Sequence, residues 1–577
     1  MMPPGNSPAL QRVYPGVESA GVEAMSTQMA SAEMVQRVWA RDAGMWTSDA
    51  AMQQAIRERL GWLDLPAMMP AHAASIRAFA ESVRRDGLTH ALLIGMGGSS
   101  LFPEVCRGIF GTAPGWLDLT VLDTTDPSAI LAATSQLPLA KTLVIVSSKS
   151  GTTIEVRALC DYLIAQARAA APSQPGRRFV AITDEGTPLE TYARAQAFRQ
   201  VFSHGPATGR DVGGRFSALT WFGLVPAALI GMDLDRLLAR AQAMSQACGP
   251  AIEVPANPAA SLGAWLAAGS AVGRGKLMIM TSARLAPLGA WIEQLVAEST
   301  GKDGQGLLPV VGESAGDAAS TMSGSLVAEW QCVGEMDGAL GRRVDALVQT
   351  DQPVARFAWR DRYDLGGDVV RWAMATSLAA ALMQLNPFDE PNVQESKTRT
   401  SLVLDAYVAR RAWPAEPPVV EGTGEAWGGT DAPGASLEEG LRRLLSRLAP
   451  DSYVAVLSFL PRTGDVDAAV ATFRRRVAAA GRVTTTLGIG PRYLHAAGQL
   501  HKGGPRDAAF IVLTAEDPRD APIPGWPYSF SVLKRAQAYG DAQALMARGR
   551  RVVWAHLGQN PAARLDALSA SLGAATS

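Results

Sequence analysis

Apolar positions follow two alternating rhythms along the chain. Short runs at Ala91–Ile94, Thr120–Leu122, Thr142–Val146 and Lys276–Met280 predict strands, as do Tyr453–Leu457, Arg482–Leu487, Ala508–Leu513 and Val552–Ala555. Between them, spacings of three and four predict helices: Leu101–Phe110, a helix through Ala169, Leu285–Ala297, Asp368–Leu385, Val466–Ala479 and Phe530–Ala547. Before the first strand, Val35, Val38, Trp39, Met52, Ile56 and Leu60 recur at helical spacing, and Ile76 to Arg84 continues it, so a helical N-terminal layer is expected. Strand–helix alternation of this kind predicts an α/β fold with parallel sheets. Residues 1–33 are Gly-, Ser-, Pro- and Ala-rich without period and predict a mobile tail; 414–436 form a Pro/Gly-rich break and predict a flexible insertion.

Two strand ends carry unusual loops. Ala91–Ile94 runs into Gly95-Met96-Gly97-Gly98-Ser99-Ser100, then a helix, a turn that lets backbone N–H groups approach an anion at the helix N-terminus. It fits neither a dinucleotide fingerprint nor a Walker loop, and glycines in a tight βα turn serve steric needs equally well. Thr142–Val146 runs into Ser147-Ser148-Lys149-Ser150-Gly151-Thr152-Thr153. One hydroxyl could cap the following helix, but Ser148, Ser150, Thr152 and Thr153 exceed that need and suit a phosphate monoester.

A third stretch, Gln294 to Lys302, ends the helix read from Leu285, placing Glu298 at its C-terminal end and Gln294 one turn earlier on the same face. The negative end of the helix dipole, together with apolar walls, raises the proton affinity of such a carboxylate toward the value a general base needs near neutral pH. A solvated helix-end glutamate is the ordinary alternative.

Composition narrows the partner. With 577 residues the chain exceeds one core. Lys+Arg 53 against Asp+Glu 54 gives no basic footprint, so neither nucleic acid nor an acidic membrane surface is implied, and a small molecule is expected. Cys106, Cys160, Cys248 and Cys332 are scattered, which points to a reducing cytoplasm and to no thiolate metal site. The N-terminus does not read as a signal peptide, and no apolar stretch is long enough to span a bilayer.

The loops G-M-G-G-S-S and S-S-K-S-G-T-T resemble the two phosphate loops of a sugar isomerase (SIS) domain. D-V-G-G-R-F-S at Asp211–Ser217, Q-L-V-A-E-S-T-G-K at Gln294–Lys302 and N-P-F-D-E-P-N-V-Q-E-S-K at Asn386–Lys397 are similar, in that order, to further motifs of the phosphoglucose isomerase family. R-V-W-A-R-D-A-G-M-W, R-Y-L-H-A-A-G-Q-L-H-K-G-G-P and P-I-P-G-W-P-Y-S-F resemble most the isomerase half of the bifunctional transaldolase–phosphoglucose isomerase type, with only a short segment expected where the transaldolase part would precede.

The resemblance implies two SIS-type doubly wound αβα domains, with 34–250 holding the N-terminal helices and the first, 251–413 the first part of the second, and 437–577 completing the second. It implies interconversion of glucose 6-phosphate and fructose 6-phosphate through a cis-enediol, without metal or organic cofactor, in a homodimer. Glu298 matches the proton-transfer base, Arg215 the arginine beside the enediolate, Lys397 a ring-opening lysine and Gln294 a substrate contact. Gly98, Ser99, Ser148, Lys149, Ser150, Thr152 and Thr153 match the phosphate loops. Alternatives left open are a dual phosphoglucose/phosphomannose isomerase and a non-catalytic sugar-phosphate sensor.

Two departures stand out. Glu390 replaces the glutamine usual in the family, and a carboxylate near an anionic ligand must turn outward or pair with a cation. The ring-opening histidine usually lies between the glutamate and the lysine; here the matching segment comes later, making His495 the expected ring-opening group and His501 the second choice, with possession by the same or the partner subunit open.

Overall fold

The computed structural model describes residues 10–170, 174–205, 209–312, 324–413, 419–420, 425–430, 436–449 and 451–573. The fold is α/β, with parallel sheets layered between helices and a helical N-terminal region that includes Met34–Trp39, Ala50–Arg59 and Pro70–Arg85. In chain order the strands are β1 (Leu10–Tyr14), β2 (His90–Gly95), β3 (Asp118–Leu122), β4 (Thr142–Ser147), β5 (Phe179–Asp184) and β6 (Gln200–His204). They continue with β7 (Lys276–Thr281), β8 (Leu308–Val310), β9 (Ser325–Cys332) and β10 (Val354–Trp359), then β11 (Val419–Val420), β12 (Glu425–Gly429), β13 (Tyr453–Phe459), β14 (Thr484–Ile489), β15 (Ala508–Thr514) and β16 (Arg551–Leu557).

The first sheet is parallel throughout, in the order β3-β2-β4-β5-β6. The chain leaves β2 to one side for β3 and returns to its other side for β4, so the order reverses there. A crevice opens outside the carboxyl ends of strands at such a point. Both glycine- and hydroxyl-rich loops start at those ends, where Gly95 and Ser147 are register partners. Buried on both faces, β2 and β4 read as continuous apolar runs, which is why the sequence shows them so plainly.

The second sheet runs β1-β10-β9-β7-β8. Its edge strand β1 is antiparallel to β10, with Val13 opposite Ala355. Residues 10–31 therefore do not form the expected tail. The helix Ser19–Ser31 follows, with Met29 fully buried, and Gly21 closes on Ala268 of the helix Pro258–Ala271, where an added Cβ would lie 3.5 Å from that methyl. Small residues, which looked like low complexity, permit this close packing. The first nine residues of the tail reading lie outside the described ones.

The strands of 419–557 do not complete the second sheet. They form a third, β11-β12-β16-β15-β13-β14, parallel from β16 to β14 and antiparallel at β11 and β12. The free edge of β10 is already taken by β1, while β13 finds β14 and β15 on its two sides through local βαβ connections. The insertion reading of 414–436 is corrected where the structure describes it, since Val419–Val420 and Glu425–Gly429 extend this sheet; its remaining residues, apart from Thr430 and Ser436, lie outside the described ones. Alternation along β13 divides its contacts. Val454 and Val456 face the core under the helices Leu437–Ser446, Gly464–Gly481 and Pro561–Gly573, whereas Ala455, Leu457 and Phe459 face a core shared with Leu92 and Ile94 of β2. The third sheet is thus docked on the first, and the turn Arg492–His495 after β14 lies at that junction. Among the described residues no helix is long and apolar enough to cross a membrane.

Candidate functional site

The glycine loop is shaped by its neighbours. Gly97 has φ +55°, and a Cβ there would lie 2.7 Å from the His495 carbonyl oxygen and 2.9 Å from the Gln294 amide nitrogen. At Gly98 a Cβ would meet the Gly214 carbonyl at 1.9 Å, so the backbone next to Arg215 passes directly over the loop. Ser99 is buried and its carbonyl accepts a hydrogen bond from Ser147 Oγ at 2.9 Å, joining the two loops.

In the second loop the hydroxyls pair with one another. Ser148 Oγ donates to Thr153 Oγ1 at 3.1 Å, and Ser150 and Thr152 lie 3.0 Å apart. Such contacts between neutral hydroxyls exchange readily for those to a phosphate oxygen. Lys149, expected among the phosphate ligands, is committed elsewhere. Its Nζ lies 2.5 Å from both Asp184 Oδ2 and Asp211 Oδ1. Burial lowers its proton affinity, but the two carboxylates outweigh this and hold the ammonium charged. It ties the segment leading to Arg215 onto β5.

Glu298 sits in the last turn of the helix Leu288–Thr300 and is buried. Arg215 Nη1 approaches its Oε1 at 3.0 Å, and the Gln294 amide donates to its Oε2 at 3.2 Å. Burial raises the carboxyl's proton affinity; Arg215 opposes this, Glu390 reinforces it, and the balance lies above the ordinary glutamate value. Arg215 itself is buried, held by Ser299 Oγ at 2.9 Å and by the carbonyls of Pro387 at 2.5 Å and Asp389 at 2.9 Å. Lys302 pairs with Asp389 at 2.7 Å, and burial pulls its ammonium down to about 8. Glu390 does not turn outward: it pairs with Arg215 at 3.2 Å and Arg59 at 3.3 Å. Burial alone would raise its carboxyl, yet the two guanidiniums keep it below the usual range.

His495 joins this cluster through its backbone and a second cluster through its ring. Its carbonyl accepts from Gln294 Nε2 at 2.9 Å, in the same chain, while its Nε2 meets Glu155 Oε1 at 2.9 Å. Glu155 opens the helix Ile154–Ala170, is buried, and also accepts from Gln537 Nε2 at 2.7 Å. Gln537 in turn takes a hydrogen bond from Thr125 Oγ1 at 2.8 Å. Burial would raise the Glu155 carboxyl, but His495 and the Lys397 charge hold it low, so it stands as a carboxylate. A cleft of about 380 Å³ opens here, lined by Thr152, Thr153, Glu155, Lys397, His495 and Trp526. Lys397, on the helix Val393–Arg410, is exposed at its wall.

His501 is not brought to the cleft. It is fully enclosed by Tyr453, Tyr493 and Phe510, its Nδ1 3.1 Å from the Tyr453 hydroxyl, and burial lowers its proton affinity to about 3. Six residues past His495, it lies on the helix Gly498–Gly503, which turns it into the core between the third sheet and the first rather than toward the loops.

The structure therefore gathers Gly98, Ser99, Arg215, Gln294, Glu298 and His495 at one place, with Thr152, Thr153 and Lys397 along the adjoining cleft. Sequence reasoning missed Glu155, Gln537 and Arg59. A glutamate in the first turn after a hydroxyl-rich loop was a usable signal for Glu155; Gln537 and Arg59 carried none, being ordinary helix residues that become polar partners only through tertiary contact. Among the described residues no group of three or more His, Cys, Asp or Glu side chains could hold a metal ion.

A family model described as phosphoglucose isomerase matches residues 18–311. The glucose-6-phosphate isomerase of Synechococcus sp. (strain JA-3-3Ab) is 32% identical over 358 residues, 55% of this chain and 66% of the relative. That of Geobacter sp. (strain M21) is 32% identical over 312 residues, 51% and 54% respectively. The chain thus matches less than two thirds of the length of these curated relatives. Among solved structures, a hypothetical protein from Thermus thermophilus superposes with a TM-score of 0.56 at 25% identity, over 68% of this chain and all of that one. A glucose-6-phosphate isomerase from Chlamydia trachomatis D/UW-3/Cx shares the fold, with a TM-score of 0.50 at 19% identity, over 67% and 86%.

Proposed function

Because the chain belongs to the phosphoglucose isomerase family, we propose that it is an aldose–ketose isomerase interconverting glucose 6-phosphate and fructose 6-phosphate in the cytoplasm. The observation that carries this reading is Glu298: a buried carboxylate of raised proton affinity, in contact with a guanidinium and linked through the Gln294 amide to an imidazole-bearing turn. A sensor that only binds sugar phosphate has no use for such a base.

In this reading the phosphate is held by the hydroxyls of Ser148, Ser150, Thr152 and Thr153 and by Ser99, at the point where the strand order of the first sheet reverses. The Glu155 carboxylate accepts from His495 Nε2, which leaves Nδ1 as the group that exchanges a proton with the sugar during ring opening. Lys397 assists from the cleft wall. Glu298 then removes the C2 proton of the open aldose; the C2–H electron pair becomes the C1–C2 double bond, and negative charge grows on O1. Arg215, which cannot give up its proton, stabilises that charge. O1 then takes up a proton as the O2 hydroxyl gives one up; when Glu298 returns its proton to C1, the C1–C2 π pair forms the new C1–H bond and the O2–H pair closes the C2=O bond, which completes the ketose with no redox partner consumed. His495 reaches Gln294 within one chain, which supports a ring-opening group from the same subunit in the proposed homodimer.

A coupled assay of fructose 6-phosphate conversion by the purified protein tests the proposal. Turnover is expected; its absence, with tight sugar-phosphate binding and no solvent exchange at C1 or C2, would favour the sensor. Turnover of mannose 6-phosphate would widen the reading to the dual isomerase.

A further inference from the structure

Resting on the isomerase reading, we infer that Glu390 is a second carboxylate of the site, a positioning residue that shares the Arg215 guanidinium with Glu298 and so sets how firmly Glu298 holds its proton. Arg215 has five N–H bonds, and its neighbours take up most of them. Nε–H goes to Ser299, the Nη2 protons go to the carbonyls of Pro387 and Asp389, and Nη1 donates to Glu390 at 3.2 Å while standing 3.0 Å from Glu298 Oε1 as an ion pair. One cation between the buried carboxylate of Glu298 and the half-buried one of Glu390 leaves a negative charge uncompensated. Arg59, reaching in from the helix Ala50–Arg59, lies 3.3 Å from Glu390 and supplies part of the remainder.

The other groups facing Glu298 do not cancel this arrangement. Its own helix offers the neutral amide of Gln294. Lys302, just beyond that helix, is committed to Asp389 and to the Asn386 carbonyl. His495 offers Gln294 only a backbone carbonyl. The charges that act on the base are therefore Arg215, Glu390 with Arg59 behind it, and the Lys302–Asp389 pair. The proton affinities agree: Glu298 lies above the carboxylate range, through burial and then Glu390 against the pull of Arg215, while Glu390, which has two guanidiniums, lies below it despite its burial.

Two substitutions that leave Glu298 intact should act in opposite directions. Glu390→Gln removes a like charge and returns the whole of the Arg215 charge to Glu298, so the base loses its proton at lower pH. Arg59→Gln leaves Glu390 less compensated, so the base loses its proton at higher pH. A loss of packing alone gives no such pair of signs.

The experiment is the pH dependence of kcat/KM for fructose 6-phosphate in wild type and both variants, with an infrared carboxyl titration of the same proteins in which the Glu298 band is assigned by its loss in Glu298→Gln. The acid limb and the infrared midpoint should fall by about one pH unit or more in Glu390→Gln and rise in Arg59→Gln. Unchanged midpoints in both variants would overturn the inference. Should Glu390→Gln fail to fold, the upward shift in Arg59→Gln decides, and its absence is a refutation. Wild-type protein that does not turn over would sink the isomerase reading alone, because the infrared titration still reads the coupling.

Discussion

Gln294 and His495, 201 residues apart in sequence, meet through a 2.9 Å hydrogen bond from the side-chain amide of one to the backbone carbonyl of the other. The same amide nitrogen reaches Glu298 at 3.2 Å. A single side chain thus fixes the distance between the proposed proton-transfer base on the helix Leu288–Thr300 and the proposed ring-opening turn that follows β14 of the third sheet.

Glu298→Gln should lower kcat by several orders of magnitude while sugar phosphate still binds, because the lost role belongs to the transition state. Parallel measurement of turnover and of substrate binding by calorimetry checks this. A proportionate loss of binding would mean that Glu298 anchors the substrate instead.

His495→Ala should slow cyclic substrate more than the open-chain form, which bypasses ring opening, and Glu155→Gln should reproduce much of that selectivity by releasing Nε2. Glu298→Gln should impair both forms alike. Rates with anomerically equilibrated sugar phosphate and with an open-chain analogue separate the cases.

Lys149→Met should cost more in stability than in KM. Its ammonium spans Asp184 and Asp211 at 2.5 Å each, and removing it leaves two partly buried carboxylates facing one another. Thermal unfolding should fall clearly, with KM for the sugar phosphate changed by less than about tenfold, on the order of 1.4 kcal/mol. A larger KM effect at unchanged stability would restore Lys149 to the phosphate site.

Glu293 gives a pH-dependent stability with a definite sign. Burial raises its carboxyl to about 7, only partly opposed by Arg492. The folded form therefore binds this proton more tightly than the unfolded chain, and stability is lost as pH rises from about 4.5 to 7. Glu293→Gln should leave stability at pH 4 nearly unchanged and increase it at pH 8 by on the order of 1–2 kcal/mol. Urea unfolding at the two pH values is the measurement; equal effects at both would contradict it.

Legibility in the sequence followed the range of the interactions. The strands β2 and β4 were readable because burial on both faces writes a continuous apolar run, and the helices Leu101–Phe110 and Phe530–Ala547 because a buried face writes a period of three and four into adjacent residues. The edge strand β1 was not: its five residues owe their conformation to β10, and nothing nearby betrays that pairing. The third sheet was readable as strands but not as a separate sheet, since periodicity reveals which face is buried and not which strand lies beside it. At the site, Glu298, Arg215 and Gln294 stood out within compact motifs. Lys149 looked like a phosphate ligand because its loop position suits one, and only the approach of Asp184 and Asp211 shows where its charge is spent. His501 misled for the opposite reason, as a histidine in the right motif whose helix carries it into an aromatic core.

The pairing of β1 also fixes an order in time. Val354 follows Tyr14 by 340 residues, so during synthesis at about 5–20 residues per second the N-terminal segment waits on the order of 20–70 s for its partner to be made. Throughout that interval its backbone N–H and C=O groups stand open to any other strand edge, including those of neighbouring nascent chains on the same messenger. The last pairing in the second sheet therefore joins the earliest of its strands to be made to the latest, and a bulky fusion placed ahead of Leu10 would be felt as slower maturation before it was felt as lower stability.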